Sequence, residues 1–197
     1  MIGALFRETI TEPRSAARRL IDMRLDPSVA WTAFALVMVL TSALALIVRL
    51  AFPIPKELLD QSPLLRLQDH TLVAGAIQAG FLICAAWAMA ALGRRFGGVA
   101  RFPQTLLLVT WMEFVLLVVQ VLQILATLVV PPVATLVGLA GFGLFFMLLT
   151  VFTAEANRFS SLPAVFMGVL VSLLLAGLAI MGLFVFFGVI TFPQPGA

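Results

Sequence analysis

TLLLVTWMEFVLLVVQVLQILATLVV (residues 105–130) and VATLVGLAGFGLFFMLLTVFT (residues 133–153) are two long apolar segments that only Pro131-Pro132 separates. About 20 apolar residues cross the ~30 Å hydrocarbon core of a bilayer as a helix, because only a helix satisfies its own backbone hydrogen bonds in lipid. Proline disfavours a helical conformation in the residue before it and has no N–H to donate. We therefore predict two spans joined by a tight hairpin. The alternative, one kinked helix, would far exceed the thickness of the bilayer.

Three more segments of this kind lie around the pair. The predicted spans are residues 29–50, 72–92, 105–130, 133–153 and 162–187. The chain is 62% hydrophobic and 11% charged, with a mean hydropathy of +1.16, whereas roughly 25% of the residues in an average soluble domain are charged. The sequence predicts an all-α polytopic membrane helix bundle with five transmembrane helices. It comprises a basic lead-in over residues 1–28 and one membrane domain over residues 29–192.

The basic residues are distributed unevenly between the two sides of these spans. Nine of the 12 lie on the side of the N-terminus: Arg7, Arg14, Arg18, Arg19, Arg24, Arg94, Arg95, Arg101 and Arg158. Arg49, Lys56 and Arg66 lie on the other side. Because Lys and Arg stay preferentially in the cytoplasm, we predict a cytoplasmic N-terminus and a C-terminus outside. The scarcity of Lys, Asn and Tyr indicates a G+C-rich genome, so the membrane is predicted to be a bacterial inner (plasma) membrane.

The lead-in contains a predicted helix from Thr11 to Leu25, with Thr11 as candidate cap and Pro13 in the first turn. Arg18 and Asp22 lie one turn apart and are expected to pair. A basic, weakly amphipathic helix beside a membrane would lie at the anionic headgroups. The alternative is a solvated lead-in that only sets the topology.

Four polar residues inside the spans form a candidate intramembrane polar face: Glu113, Gln120, Gln123 and Gln78. Glu113 lies roughly 13 Å into the third span at 1.5 Å per residue. Gln78 lies at a depth that matches Gln120 or Gln123, and a hydrogen bond between them would be worth ~0.6 kcal/mol. We interpret this pairing as a packing clamp rather than a transport pathway. For Glu113, a protonated packing residue and a proton- or ion-coupled step both stay open.

Small residues recur every fourth position in the fifth span. The stripe consists of Ala164, Gly168, Ser172 and Ala176. Close approach through small residues lets membrane helices associate, so we predict a contact face, either within the bundle or in a homodimer. Chance in an Ala- and Gly-rich helix is the alternative.

The fourth span ends in a polar cluster of Glu155, Asn157, Arg158, Ser160 and Ser161. We interpret this cluster as an ordinary helix exit capped by serine, rather than as a functional site.

The sequence lacks the residues and motifs that most enzyme mechanisms need. His70 is the only histidine and lies in a predicted outer loop, so metal sites and histidine-based triads cannot be assembled. Cys84 is the only cysteine, and no phosphate-binding loop, dinucleotide fingerprint or nucleophile elbow occurs. The pI of 10.4 follows from arginines that set topology, so it does not indicate nucleic-acid binding. We predict no enzyme activity, no metal and no cofactor.

Several local runs resemble bacterial members of the Ypt-interacting-protein (Yip) domain family, as do the five spans in this orientation. The runs are Arg7-Glu8-Thr9, Pro13-Arg14, Ala16-Ala17-Arg18-Arg19-Leu20 and Gly93-Arg94-Arg95-Phe96-Gly97-Gly98, the last followed by Phe102 and by Trp111 in the third span. For eukaryotic members the resemblance implies binding of Rab-type GTPases. Their characteristic Asp-Leu-Tyr-Gly-Pro stretch is missing here, so Rab binding is not carried over. The resemblance supplies no catalytic residues.

The predicted function is that of a non-enzymatic scaffold or partner-binding protein in membrane organisation or trafficking-like roles. Its predicted partners are the lipid bilayer and either a second copy or another membrane protein, with no nucleic acid. Arg94, Arg95 and Arg101 are the candidate cytoplasmic contacts. The alternative is a small transporter or channel component that uses the intramembrane acid Glu113.

Overall fold

The computed structural model describes residues 2–53, 55 and 70–186, and over these residues it is a helical structure without strands. The helices are α1 (Ile2–Thr11), α2 (Pro13–Asp22), α3 (Pro27–Ala51), α4 (Thr71–Arg95), α5 (Phe102–Val129), α6 (Pro131–Asn157) and α7 (Leu162–Phe186). Lys56 and Arg66 lie outside the described residues. The predicted end of the last span at residue 187 and of the membrane domain at residue 192 also lie outside them.

Five of these helices, α3 to α7, are long and apolar enough to cross a membrane. The prediction of five spans is thereby confirmed. The larger differences between the predicted spans and the observed helices are at C-terminal ends. There α4 continues through Gly93-Arg94-Arg95 and α6 continues through Glu155-Ala156-Asn157. Hydropathy ends a span at the first polar residues, whereas helical hydrogen bonding continues past them.

The turn between α5 and α6 is as tight as the two prolines predict. Val130 has non-helical dihedrals (φ −142°, ψ 85°) and α6 begins directly at Pro131. Gln123 lies against Gly138 and Val119 lies against Gly141, so the two helices run antiparallel from the turn. The hairpin prediction is confirmed, and the kinked single helix is excluded.

The central helix is α5, which packs against α3, α4 and α6. Two hydrogen bonds set its antiparallel register with α4. Thr105 Oγ1 donates to the carbonyl of Ala86 (2.8 Å), and Gln78 Nε2 donates to Glu113 Oε1 (2.7 Å). Because α4 begins at Thr71, this register leaves about nine residues of α5, roughly 13 Å, beyond the start of α4.

The bundle is packed more tightly at one end. The end that carries α1, α2 and the α4–α5 turn is called the N-terminal side here, and the end with the α5–α6 hairpin is called the opposite side. The largest fully buried side chains include Leu106, Leu108, Leu148 and Phe152, all in the half toward the N-terminal side. Large apolar side chains in the other half are mostly exposed, among them Leu122, Leu125, Leu136 and Leu139. That surface suits contact with lipid tails.

The lead-in forms two helices that pack on the bundle. Thr11 was predicted to cap the second, but it ends α1 and its hydroxyl donates to the carbonyl of Arg7. The helix α2 begins at Pro13, so its N-cap residue is Glu12. The side chain of Glu12 makes no capping hydrogen bond. The face with Ala16, Ala17 and Leu20 is buried, and α2 packs on α6.

The short linker to α3 ends in a side-chain cap. Asp26 Oδ1 accepts from the backbone N–H of Ser28 (2.8 Å), and Pro27 occupies the first helical turn. The hydrogen bonding to Ser28 lowers the pKa of Asp26 below its ordinary value. A cap followed by proline therefore fixes where the first span begins.

Candidate functional site

The structure brings together two of the four residues predicted to form the intramembrane polar face. Gln78 Nε2 donates to Glu113 Oε1 over 2.7 Å, and both side chains are partly buried between α4 and α5. The predicted partner of Gln78 was Gln120 or Gln123, and that pairing is wrong. It assumed that α4 and α5 reach the same depth, whereas α5 extends well past the start of α4.

The other two glutamines have separate surroundings. Gln120 is exposed on α5. Gln123 faces α6, where its Nε2 lies 2.6 Å from the position that a Cβ on Gly138 would take. The glycine therefore makes room for the amide at the α5–α6 contact, and this amide packs in the hairpin rather than with the Gln78–Glu113 pair.

A buried hydroxyl lies close in depth to this pair. Ser42 of α3 lies against Gly75 of α4, so Thr41 and Gln78 differ in depth by about two residues, roughly 3 Å. Thr41 is 8% exposed, and its Oγ1 has no hydrogen-bond partner. Threonine hydroxyls in membrane helices commonly donate to the carbonyl four residues earlier. Thr41, like Thr150 of α6, does not, so its hydroxyl is available to another group.

The α4–α5 turn is built around Asn157, the last residue of α6. Its Nδ2 donates to the carbonyls of Met89 and Thr153, each over 3.1 Å, and the residue is 2% exposed. A Cβ on either Gly93 or Gly98 would overlap the amide of Asn157. Both positions therefore need glycine, and Asn157 fixes the turn onto α6.

Bonds within the turn hold its shape. The N–H of Gly98 donates to the carbonyl of Gly93 (2.8 Å), and Arg94 Nη1 donates to the carbonyl of Ala100 (3.2 Å). Phe96 is nevertheless 79% exposed and Val99 is 54% exposed. The turn thus presents two apolar side chains on a fixed backbone.

The three predicted basic contacts all lie at this turn. Arg94, Arg95 and Arg101 are exposed, although Arg94 also bonds the turn internally. With Phe96 and Val99, these arginines form a surface that we call the turn surface. It combines positive charge with exposed apolar groups.

Glu155, one residue of the polar cluster, anchors α2. Arg18 Nε donates to Glu155 Oε2 over 2.8 Å, and Arg14 Nε lies 3.5 Å from Oε1. The hydrogen bond to Glu155 raises the pKa of Arg18 above its ordinary value. Arg18 was predicted to pair with Asp22, and Asp22 does act on it electrostatically, but its hydrogen-bond partner is Glu155 of α6. The residues of the cluster therefore contact different helices. Glu155 bonds to α2, Asn157 bonds to α4, and Ser161 Oγ accepts from the N–H of Ala164 in α7.

A second contact fastens α1. Trp111 Nε1 donates to Thr9 Oγ1 (2.9 Å), and the same hydroxyl donates to the carbonyl of Leu5 (2.8 Å). Thr9 is fully buried. Nothing in the sequence pattern indicated this bond, because its partners are 102 residues apart in the chain.

The small-residue stripe lies on the surface of α7. Ala164, Gly168 and Ala176 are exposed, and no atom lies within 4 Å of a Cβ built on Gly168. Ser172 donates to the carbonyl of Gly168 within its own helix (2.7 Å). Contact between two copies through this stripe stays a prediction.

Metal ligands do not gather anywhere in the described part of the chain, which holds no cluster of three or more His, Cys, Asp or Glu side chains. Cys84 is exposed on the surface of α4, and His70 directly precedes that helix.

Acid is expected to loosen α1 from α2, because Glu8 joins the two helices. Ser15 Oγ donates to Glu8 Oε1 (2.6 Å) and Arg19 Nη1 donates to Oε2 (3.1 Å). The bond from Ser15, and to a smaller extent Arg19, lowers the pKa of Glu8 below its ordinary value of 4.5. A lowered folded-state pKa adds stability at pH above the ordinary value, and this stability is lost as the pH falls through the lowered value.

Hydrogen-exchange protection factors of the α1 amides measure this effect when they are corrected for intrinsic exchange rates. Glu8→Gln is the control, since it should show weak protection at neutral pH and little further loss in acid. Equal pH dependence in the wild type and in Glu8→Gln would show that Glu8 is not responsible.

The fold and these contacts define an integral, multi-pass membrane protein. The two lead-in helices α1 and α2, called the α1–α2 hairpin below, pack on one side of its bundle. The family model of the Yip1 domain matches residues 7–191, from the middle of α1 to beyond α7. The chain therefore belongs to the Yip1 domain family, which confirms the family part of the resemblance drawn from its sequence. Comparisons with curated proteins and with solved structures give no significant match.

Proposed function

We propose that this Yip1-family protein is a non-enzymatic, partner-binding protein of a bacterial inner membrane. Its N-terminal side, with α1, α2 and the turn surface, faces the cytoplasm, in agreement with the positive-inside rule. The observation that carries the proposal is the turn surface. There Phe96 and Val99 stay exposed next to Arg95 although the backbone around them is fixed.

Rigid presentation of an aromatic residue beside arginine favours protein recognition. Aromatic residues and Arg are enriched at the centres of interfaces, where a few side chains carry most of the binding free energy. A turn already fixed by Asn157 and Arg94 loses little conformational entropy on binding. The partner proposed for this surface is another protein, either membrane-bound or cytoplasmic.

The second candidate function is a small transporter or channel component. The Gln78–Glu113 bond favours it, because polar groups inside a membrane often mark a pathway for ions or protons. Against it stands the absence of a second charged residue at that depth in the described spans.

Affinity purification from native membranes in mild detergent tests partner binding. The tagged wild type is expected to retain a stoichiometric partner, which mass spectrometry identifies. The amount of partner recovered with the double variant Arg95→Ala/Phe96→Ala is expected to be about tenfold lower. Arg7→Ala is the matched control, since it removes an exposed arginine of the same side outside the turn surface. Recovery of the protein alone, or equal partner yield from the double variant, would contradict the proposal.

A further inference from the structure

We propose that the carboxyl group of Glu113, together with Gln78 and Thr41, is a proton-binding site inside the membrane. The site would bind and release its proton rather than keep one protonation state. This inference goes beyond partner binding and uses no residue of the turn surface. The ligand is the proton, and the chemistry is reversible protonation of one carboxylate oxygen.

The pair leaves oxygen atoms free for this role. Gln78 uses one amide hydrogen on Glu113 Oε1, so Glu113 Oε2 is left for a proton. An amide N–H can donate to a carboxyl oxygen in either protonation state. The bond therefore positions the carboxyl in both states without requiring α4 and α5 to separate.

The third helix contributes an unused hydroxyl. Thr41 Oγ1 lies within roughly 3 Å of Gln78 in depth, is more than nine-tenths buried and has no partner. A hydroxyl both donates and accepts. Thr41 Oγ1 forms no bond to Glu113 in this arrangement, so its contribution to the site would be to hold a water molecule between them. Buried polar atoms without a partner are uncommon in folded proteins, and each needs an explanation.

No ion pair joins Glu113 to a cation among the described residues. The charged groups on the helices that contact α5 are Arg49 on α3, Arg94 and Arg95 on α4, Glu155 on α6, Arg14, Arg18, Arg19 and Asp22 on α2, and Arg7 and Glu8 on α1, which meets α5 through the Thr9–Trp111 bond. Arg49 lies roughly 12 Å from Thr41 along α3, and Glu155 lies roughly 10 Å from the level of Glu113 along α6. Within the described part of the chain, a proton is therefore the means of neutralising Glu113 that the arrangement leaves open.

The Gln78–Glu113 pair is accessible from the lipid. Glu113 and Gln78 are only partly buried, so an apolar reagent dissolved in the bilayer can reach the pair. Dicyclohexylcarbodiimide is such a reagent, and it reads protonation directly. The acid gives its proton to a nitrogen of the carbodiimide, and the carboxylate oxygen adds to its central carbon, so an ionised carboxylate does not react.

Labelling of the full-length protein in lipid nanodiscs, quantified by peptide mass spectrometry, tests the proposal. From about pH 9 to about pH 5 the labelled fraction of Glu113 is expected to rise about tenfold. Glu113→Gln should abolish the labelled peptide and Glu113→Asp should retain it. Labelling that stays equal across this range would show a permanently protonated packing residue and would overturn the proposal.

Two substitutions separate a proton site from simple packing. Gln78→Leu is expected to change the ratio of labelled to unlabelled Glu113, measured near half-labelling, about threefold, the change in equilibrium constant that corresponds to an average membrane hydrogen bond. Gln120→Leu is the matched control and should leave it unchanged, because Gln120 is exposed and apart from the pair. If no label attaches at any pH, infrared difference spectra of wild type minus Glu113→Gln decide. A carboxyl band that disappears at high pH supports the site, and no pH-dependent band overturns it.

Discussion

Gly93→Ala is expected to lower stability by about 3 kcal/mol, which would make it one of the most damaging single methyl additions in this protein. The added Cβ overlaps the amide of Asn157, which cannot move without breaking its bonds to Met89 and Thr153. The cost combines overpacking with newly unpaired buried polar groups. Thermal unfolding in mild detergent should show a midpoint lowered by roughly 6–12 °C.

Gly80→Ala is the matched control, because it lies in the same helix with no atom within 4 Å of its Cβ position. Alanine favours a helix over glycine by up to about 1 kcal/mol, so this variant should be unchanged or slightly stabilised. Asn157→Ala added to Gly93→Ala should recover part of the loss, since it removes the amide that the new Cβ meets. A Gly93→Ala midpoint equal to that of Gly80→Ala would contradict the proposed packing.

Ala17→Leu is expected to release the α1–α2 hairpin from the bundle. Ala16 and Ala17 are fully buried where α2 packs on α6 and on α1, and a leucine has no space there. Overpacking of this kind costs about 2 kcal/mol, which shifts the docking equilibrium roughly 30-fold. The exposed ion pairs of Arg14 and Arg18 with Glu155 are screened by water and cannot compensate.

Hydrogen exchange over residues 2–22 and trypsin cleavage at Arg24 in the linker measure this release. Both should increase in Ala17→Leu, while exchange within α3 to α6 changes little. Ala4→Leu is the control, because Ala4 is exposed on α1. Unchanged exchange in Ala17→Leu would show that the hairpin is not held by this face.

The last turn of α6 connects these two predictions. Glu155 fastens α2 and Asn157 fastens the α4–α5 turn, two residues apart on one helix. Gly93→Ala should therefore also disorder the turn surface and reduce partner recovery, whereas Ala17→Leu should leave the turn surface in place. This difference separates the contribution of the turn from that of the hairpin in the partner assay.

The local patterns of the sequence predicted the parts of the fold that depend on neighbouring residues. Runs of apolar residues predicted five spans, Pro131-Pro132 predicted the hairpin, and Asp26-Pro27 predicted a capped helix start. The candidate site was predicted only in part. Glu113 and Gln78 were selected because polar residues in apolar helices are conspicuous, but the partner of Gln78 was predicted incorrectly. Pairing depends on how far one helix slides along the next, and hydropathy carries no information on that displacement.

The sequence by itself therefore determined that the chain is a five-span helical membrane protein of the Yip1 family, because the span lengths, prolines and family motifs are properties of contiguous residues. Only the tertiary structure decided which distant residues meet. It joined Gln78 to Glu113, Asn157 to the two glycines of the turn, and Trp111 to Thr9. The physical reason is that helix register and rotation follow from side-chain packing across helices, where close fit and satisfied hydrogen bonds select one arrangement among many with the same hydropathy.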